Sequence, residues 1–413
     1  VWDNIVTADS PGAALTMAFF HLEEAHPGSE RWFDGLEFIP EKDELWKNIV
    51  AIISDYSFRN ADLYHPEIFP DAAFRPYQMR FMRQRYARVT PPLASLLAAL
   101  LAPEKGMTMY DPFCDKGHIF VESARYAQKH GGKGDLIFYT QAQAEYNRLI
   151  TAFNLVLNNC PDVHIATGDV IRTPAFVEGN RVMKFDRVVG IIPAGVRNWG
   201  SESVQPDRYL RFIYSSPPRI SGEFAYLSHA IASLAEGGRM VAIVPGGTLF
   251  RAAKGDRVFR EAIINEDLVE AVIALPNRAV IGKGTGFSAL IISNKKPHEH
   301  QGQVVFIDAF RSFPATRDKM ILSSEENTKI LEAYTTFKTD EGFSTVASTE
   351  EIAANDFDLD VSRYVLPQLT EEATEQIDIG EAIAELEEIR KNKADALKRF
   401  LELAAGLDQN LKK

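Results

Sequence analysis

Cysteine is scarce in this 413-residue chain, and positive charge is in deficit. Two cysteines, Cys114 and Cys160, are too few for a disulfide framework or a cysteine-rich zinc site, and they suit a reducing compartment. Lys and Arg number 45 against 57 Asp and Glu, leaving a formal net charge of -12. Such a balance excludes a protein that coats nucleic acid by bulk charge, because that binding needs clustered cations to release phosphate counterions. No apolar run approaches the roughly 18 residues of a membrane span. The N-terminus carries Asp3 and Asp9 and no basic stretch, unlike a secretory signal. A cytoplasmic location follows as the expectation, and the start at Val1 hints that a native beginning is missing. His118 and the other histidines show no ligand spacing, so no metal is expected. No G-x-G-x-x-G follows a strand. The glycines of Gly282-Lys283-Gly284-Thr285-Gly286 precede a strand rather than a helix, and no G-K-(S/T) completes a P-loop.

What is present divides into three parts. Residues 1–72 are acidic and helical in pattern, with PGAALTMAFFHLEEAHPG and EKDELWKNIVAIISDYSF punctuated by Pro27-Gly28, Pro66 and Pro70. A strip with no acidic residue follows, carrying Arg75, Arg80, Arg83, Arg85 and Arg88. It reads either as a phosphate contact or as a basic face docking on the acidic N-terminal part.

From 73 to 365, strand-like runs alternate with helical stretches, the pattern of a doubly wound α/β sheet. The strands expected are MTMYDPF, DLIFYTQ, VHIATGD, FDRVVGII, GRMVAIVPGG, LVEAVIALP and, last, FSALIISNK. A helix is expected to run through EFAYLSHAIASLAEGG, with Gly237-Gly238 capping its end. The stretch Gly195 to Gly222 has no period, and loops of that length are functional or mobile. In the tail, 366–413, Ile379, Ile383, Leu386, Ile389, Leu397, Leu401 and Ala404 recur at mostly three- and four-residue steps, one apolar stripe on a long helix. Such a helix packs on its own domain or docks a partner.

The run KGMTMYDPFC, then ATGDVIRTP, FDRVV…PAG, SLAEGGRMVAIVPGGTLFR, EDLVEAVIALP, GTGFSALIISNKK and NDFDLDVSRYV resembles, in order and spacing, the modification (M) subunits of type I restriction-modification systems. These are adenine-specific DNA methyltransferases that use S-adenosylmethionine. The resemblance covers about Thr90 to Tyr364. It implies a Rossmann-like methyltransferase sheet with a helical N-terminal domain and a C-terminal helical tail. It also implies assembly with a second, active M subunit, a specificity (S) subunit, DNA and, where present, a restriction subunit, with the tail carrying Ile383, Leu386, Ile389, Leu397 and Leu401 as the candidate docking helix.

The departures from the family pattern fall on its chemistry. Where members have D-P-x-C-G-(T/S)-G, this chain has Asp111-Pro112-Phe113-Cys114-Asp115-Lys116-Gly117, so Asp115 replaces the first glycine and Gly117 remains. The second strand ends Tyr139-Thr140-Gln141-Ala142, Ala142 standing where the family has the glutamate that holds the cofactor ribose; Glu145 is a substitute only if it reaches back from the next helix. Of the aromatic-Thr-Pro element only Thr90-Pro91 is left. Asp169, after Gly168, either contacts the cofactor's adenine side or caps a turn. The family's N-P-P-(F/Y), in which Asn accepts from the flipped adenine's amine and the ring stacks on the base, is here Ile191-Ile192-Pro193-Ala194. Neither Asp186, early in the strand, nor Asn198, in the loop, is well placed to replace that Asn. One positioned polar group is worth about 10²- to 10³-fold in rate, and a base–aromatic stack about 1–3 kcal/mol. The expectation is therefore a degenerate cofactor pocket with no intact catalytic residue, in a chain inactive alone. The alternative is an active adenine-N6 methyltransferase with divergent motifs.

Overall fold

The computed structural model describes residues 4–5, 7–25, 38, 42–54, 88–114, 116–131, 136–160, 162–204, 206–219, 221–276, 279–281, 286–313 and 322–367. Contacts divide the chain into two units, Val1–Leu366 and Pro367–Lys413. The tail stripe from Ile379 to Ala404, with Arg75, Arg80, Arg83, Arg85 and Asp115, lies outside the described residues.

Two N-terminal helices, α1 (Pro11–Ala25) and α2 (Asp43–Ser54), meet around Ile5, Leu15 and Val50. Phe19 of α1 stacks on Phe38 at 5.5 Å and meets Phe153 edge-on at 5.3 Å, which joins this layer to the first helical layer of the sheet.

Strands β1 (Arg88–Val89), β2 (Thr108–Asp111), β3 (Ile137–Ala142), β4 (Asp162–Thr167), β5 (Val177–Glu178), β6 (Arg181–Val182), β7 (Phe185–Ile191), β8 (Leu234–Pro245), β9 (Val269–Ala274), β10 (Val280–Ile281), β11 (Phe287–Ser293), β12 (Gln303–Asp308) and β13 (Ser344–Ser348) follow in chain order. Nine of them form one sheet in the order β13-β12-β9-β11-β8-β7-β2-β3-β4. The run from β4 to β8 is parallel, β11 is antiparallel to both its neighbours, and β12 is parallel to β9. Every residue of β11 is buried, and only the last of β9 is not, because helices cover both faces and leave no polar side to alternate. Along β8, Val241 and Ile243 enter one core while Met240, Ala242 and Val244 enter the other, the period of two that a strand imposes. On the first face lie α3 (Pro91–Leu101), α4 (His118–Lys129), α5 (Glu145–Leu157) and, later in the chain, Ser324–Thr336. The second face is covered by α6 (Glu223–Ala232) and α7 (Lys254–Asn265).

All seven expected strands form, but two expectations need correction. The helix ends at Ala232, where Ser233 N–H and Oγ turn back onto the His229 carbonyl, and β8 already begins at Leu234. Gly237 (φ 73°) and Gly238 therefore sit inside β8, opposite a slip in register between Phe185 and Arg187, and cap no helix. Nor is β11 the last strand, since β12 and β13 widen the sheet.

The order of strands reverses at β2, which has β3 on one side and β7 on the other. Open α/β sheets bind ligands outside the carboxyl ends of their strands at such a point. There the chain places Asp111–Cys114, Lys116, Gly117, Ala142, Asp169 and Ile191–Gly195.

Candidate cofactor and base site

Asp111 ends β2 almost completely buried, and its Oδ1 accepts from the Phe113 amide at 3.0 Å. Its carbonyl accepts from Thr140 Oγ1 at 2.8 Å, tying the ends of β2 and β3 together. The turn beyond is left-handed at Cys114 (φ 48°), Lys116 (φ 49°) and Gly117 (φ 75°), two of them residues for which that region costs of order 1 kcal/mol or more. It is held by α5: Asn154 Nδ2 donates to the Lys116 carbonyl at 2.8 Å, and Cys114 Sγ lies 3.1 Å from Thr151 Oγ1. A Cβ on Gly117 would come 3.1 Å from Leu155, so this glycine is needed for packing as well as for its φ.

The ring of Phe113 lies on the backbone of β7. A Cβ at Gly190 would fall 2.7 Å from Phe113 Cδ2 and 2.9 Å from Asp111 Oδ1, so only glycine fits beneath the ring. Phe113 also meets Tyr226 of α6 edge-on at 5.6 Å. The chain's own aromatic side chain thus occupies the space over β7 beside Ile191.

Around β3 and β4 the polar groups are already engaged. Ala142 is fully buried and its carbonyl accepts from Gly168 N–H at 2.8 Å. Gln141 uses both ends of its amide, donating to Thr173 O and accepting from Ala175 N. Glu145 accepts from Arg148 Nε at 2.6 Å and from Thr167 Oγ1 at 3.1 Å, and the Arg148 bond holds its carboxyl below the usual carboxylate range. Asp169 accepts from the amides of Ile171 and Arg172 at 2.9 and 3.1 Å, the geometry of a turn cap. Thr90 caps α3, accepting from Leu93 N and donating to the Ala279 carbonyl, with Pro91 as the first helical residue; Arg88 lies in β1, paired with Ile281 of β10. Asp186 accepts from Thr108 N and Oγ1, both at 2.8 Å, at the opposite edge of the sheet.

At the end of β7, Ile191 and Ile192 are 8% and 1% exposed and enter opposite cores. Pro193 and Ala194 are half-buried, and the Gly195 amide donates to Glu223 Oε1 at 3.1 Å. Asn198 is exposed in the loop, its carbonyl bonded to Arg172. No side-chain acceptor faces the crevice from Ile191 to Ala194. Among the described residues no group of three or more His, Cys, Asp or Glu could hold a metal ion, and no helix is long and apolar enough to cross a membrane.

Sequence reasoning missed the Phe113–Gly190 contact and the anchoring arginines Arg172 and Arg211. Arg211 is 1% exposed, and its partners include the Val170 and Ile171 carbonyls and His229 Nδ1. Each arginine has an aspartate three or four positions before it, but the contacts that join separate segments, Arg172 to Asn198, Arg211 to Ile171 and Phe113 to Gly190, span 26 to 77 positions and carry no local signature.

Comparison with known proteins agrees with the topology. The chain is 28% identical to the type I restriction enzyme MjaVII methylase subunit of Methanocaldococcus jannaschii, over 76% of this chain and 54% of that protein. To the HindI methylase subunit of Haemophilus influenzae it is also 28% identical, over 78% and 70% of the two chains. It spans about half the length of the first of these relatives. The crystal structure of a type I restriction-modification methyltransferase subunit from Streptococcus thermophilus superposes with a TM-score of 0.71 at 21% identity, covering 88% of this chain and 79% of that one. The model of the N-6 DNA Methylase family matches residues 89–373, more than half of the chain. The chain therefore belongs to the N-6 DNA methylase family, and the relatives it resembles are methylase subunits of type I restriction enzymes.

Proposed function

We propose that this chain is a non-catalytic M-like subunit that pairs with an active M subunit and a specificity subunit to clamp DNA for adenine-N6 methylation. The observation that carries the reading is the carboxyl end of β7, where two buried isoleucines stand in place of a base-binding Asn and its neighbouring proline. No change of rotamer gives Ile191 an acceptor atom, and Ala194 has no π face.

The family's cofactor, S-adenosylmethionine, fits these residues poorly. Ala142 offers the ribose no carboxylate, Glu145 and Asp169 are committed to protein donors, and Phe113 covers the backbone of β7. Each hydrogen bond to a charged group is worth about 1.5–3 kcal/mol, so losing the ribose grip alone weakens binding by about tenfold to a hundredfold. The retained sheet and late segments suit a subunit kept for assembly. In this reading the tail with Ile383, Leu386, Ile389, Leu397 and Leu401 docks on the specificity subunit, and the strip from Arg75 to Arg88 touches phosphates.

The test titrates purified chain with S-adenosylmethionine and assays labelled methyl transfer to DNA, with and without the specificity subunit. The expected result is neither micromolar binding nor turnover. Saturable micromolar binding with turnover would establish the alternative, an active enzyme with divergent motifs.

A further inference from the structure

We infer that the segment from Gly195 to Gly222 is a fixed wall of the crevice, stitched to the turn after β4 by two arginines reaching in opposite directions, and not a lid that opens.

The first stitch runs outward from the turn. Arg172 Nη2 donates to the Asn198 carbonyl at 3.3 Å, and its own turn holds it through Asp169 Oδ2 at 3.4 Å. A Cβ on Gly200 would lie 2.5 Å from Arg172 Nε, and Gly200 has φ 98°, so the segment is shaped to receive this side chain.

The second stitch runs inward. Arg211 is buried and fills all five of its N–H positions: Nε and Nη2 meet Asp207 Oδ1 at 3.1 and 2.8 Å, Nη2 reaches the Ile171 carbonyl at 3.0 Å, and Nη1 reaches the Val170 carbonyl and His229 Nδ1, each at 3.3 Å. A guanidinium only donates, so His229 accepts at Nδ1, carries its proton on Nε2 and gives it to Tyr110 Oη 3.1 Å away. The wall is thereby linked through α6 to β2, beneath the crevice.

Between the stitches Trp199 is 1% exposed, and its Nε1 donates to the Pro218 carbonyl at 2.9 Å, closing the segment on itself. A Cβ on Gly222 would meet Trp199 Cβ at 2.9 Å, so the hinge position at the segment's end is packed shut. Lifting this segment would carry Asp207 along with Arg211 but would pull the permanently charged guanidinium away from the Val170 and Ile171 carbonyls and the His229 imidazole, leaving those buried groups unpaired, a cost that opposes opening as a routine motion. The inference is independent of whether the chain transfers methyl groups.

Hydrogen exchange followed by mass spectrometry on the full chain tests it, with and without millimolar S-adenosylmethionine and a duplex oligonucleotide. The hydrogen-bonded amides of Ser203, Tyr209, Leu210 and Arg211 are expected to exchange at least about a hundredfold slower than in an unstructured peptide, unchanged by either ligand. Arg172→Ala, at a half-exposed position that folding tolerates, is expected to speed exchange about tenfold in residues 196–204 only. Asp207→Asn is expected to do the same in residues 206–214 and to spare the outer stitch. Near-unstructured exchange in the native chain, a tenfold gain of protection on adding ligand, or no change in either variant would each overturn the inference. Should Asp207→Asn not fold, Arg172→Ala and the ligand comparison decide the matter.

Discussion

Single residues in this protein are constrained chiefly by what lies on the backbone next to them. Gly190 has a Phe113 ring atom 2.7 Å from where its Cβ would be, and a carboxylate oxygen at 2.9 Å. Gly190→Ala is therefore expected to destabilise the fold by about 1–3 kcal/mol through overpacking. Phe113→Ala in the same chain should recover part of that loss, a coupling that urea denaturation of the two single variants and the double variant would measure. Asp186 differs in kind, because its carboxylate accepts from both Thr108 N and Thr108 Oγ1. Asp186→Ala leaves the Thr108 amide unsatisfied at about 1–3 kcal/mol; a midpoint equal to that of the native chain would show the bond to be replaceable by water. Placing a polar side chain at position 191 is not a neutral edit either. Ile191 packs among Val189, Ile243 and Ala289, so Ile191→Asn puts an amide into an apolar core.

Secondary elements carry the second level of constraint. Thr90 and Pro91 stand in the positions of a helix N-cap and first turn, and Thr90 Oγ1 both accepts from Leu93 N and donates to the Ala279 carbonyl before β10. Thr90→Ser should be close to silent. Thr90→Ala should cost about 1–2 kcal/mol, read as a lowered melting midpoint, whether or not cofactor ever binds there. The strands were legible in the sequence because burial on both faces writes long apolar runs, as in LVEAVIALP and FSALIISNK. The boundary between α6 and β8 was not. Leu234 is as apolar as the helix it follows, and only pairing with Phe185 across the sheet decides that it belongs to a strand. In the same way Gly237-Gly238 looks like a helix stop in one dimension and is a bulge in three.

At the scale of the whole molecule, charge and pH set the expectations. With a net charge of -12 the isolated chain should bind duplex DNA no tighter than about 10⁻⁴ M at physiological salt, and under the proposed function affinity should appear only once a specificity subunit is added. Anisotropy of a labelled duplex, titrated with the chain alone and then with the proposed specificity subunit added, measures this; tight binding by the chain alone would contradict the expectation drawn from its charge. His229 gives the fold a pH dependence of predictable sign. Burial, and next the Arg211 charge, hold its pKa well below the ordinary 6.5. The unfolded chain therefore takes up a proton near pH 6.5 that the folded chain refuses. Stability is full above that pH and declines as pH falls below it, toward the depressed folded-state value. The groups facing the imidazole are Tyr110 of β2 and Arg211 with its partner Asp207. Comparing urea midpoints of the native chain and His229→Gln between pH 5 and 8 isolates the effect: the gap between them should change across the histidine range, and parallel curves would contradict it.

The sequence by itself determined the class of fold and the family, because apolar periodicity and motif spacing are local properties of the chain. It also showed that Ile191 and Ala194 have no acceptor and no ring, which no folding can change. Only the tertiary structure decided that Asp169 caps a turn, that Glu145 is bound to Arg148 and Thr167, that Phe113 lies over Gly190, and that the long loop is pinned by Arg172 and Arg211. Phe113 and Gly190 are 77 positions apart, and Arg211 and Ile171 are 40 apart. Contacts at such separations leave no trace in composition or spacing. They exist because a parallel sheet brings the carboxyl ends of distant strands to one edge.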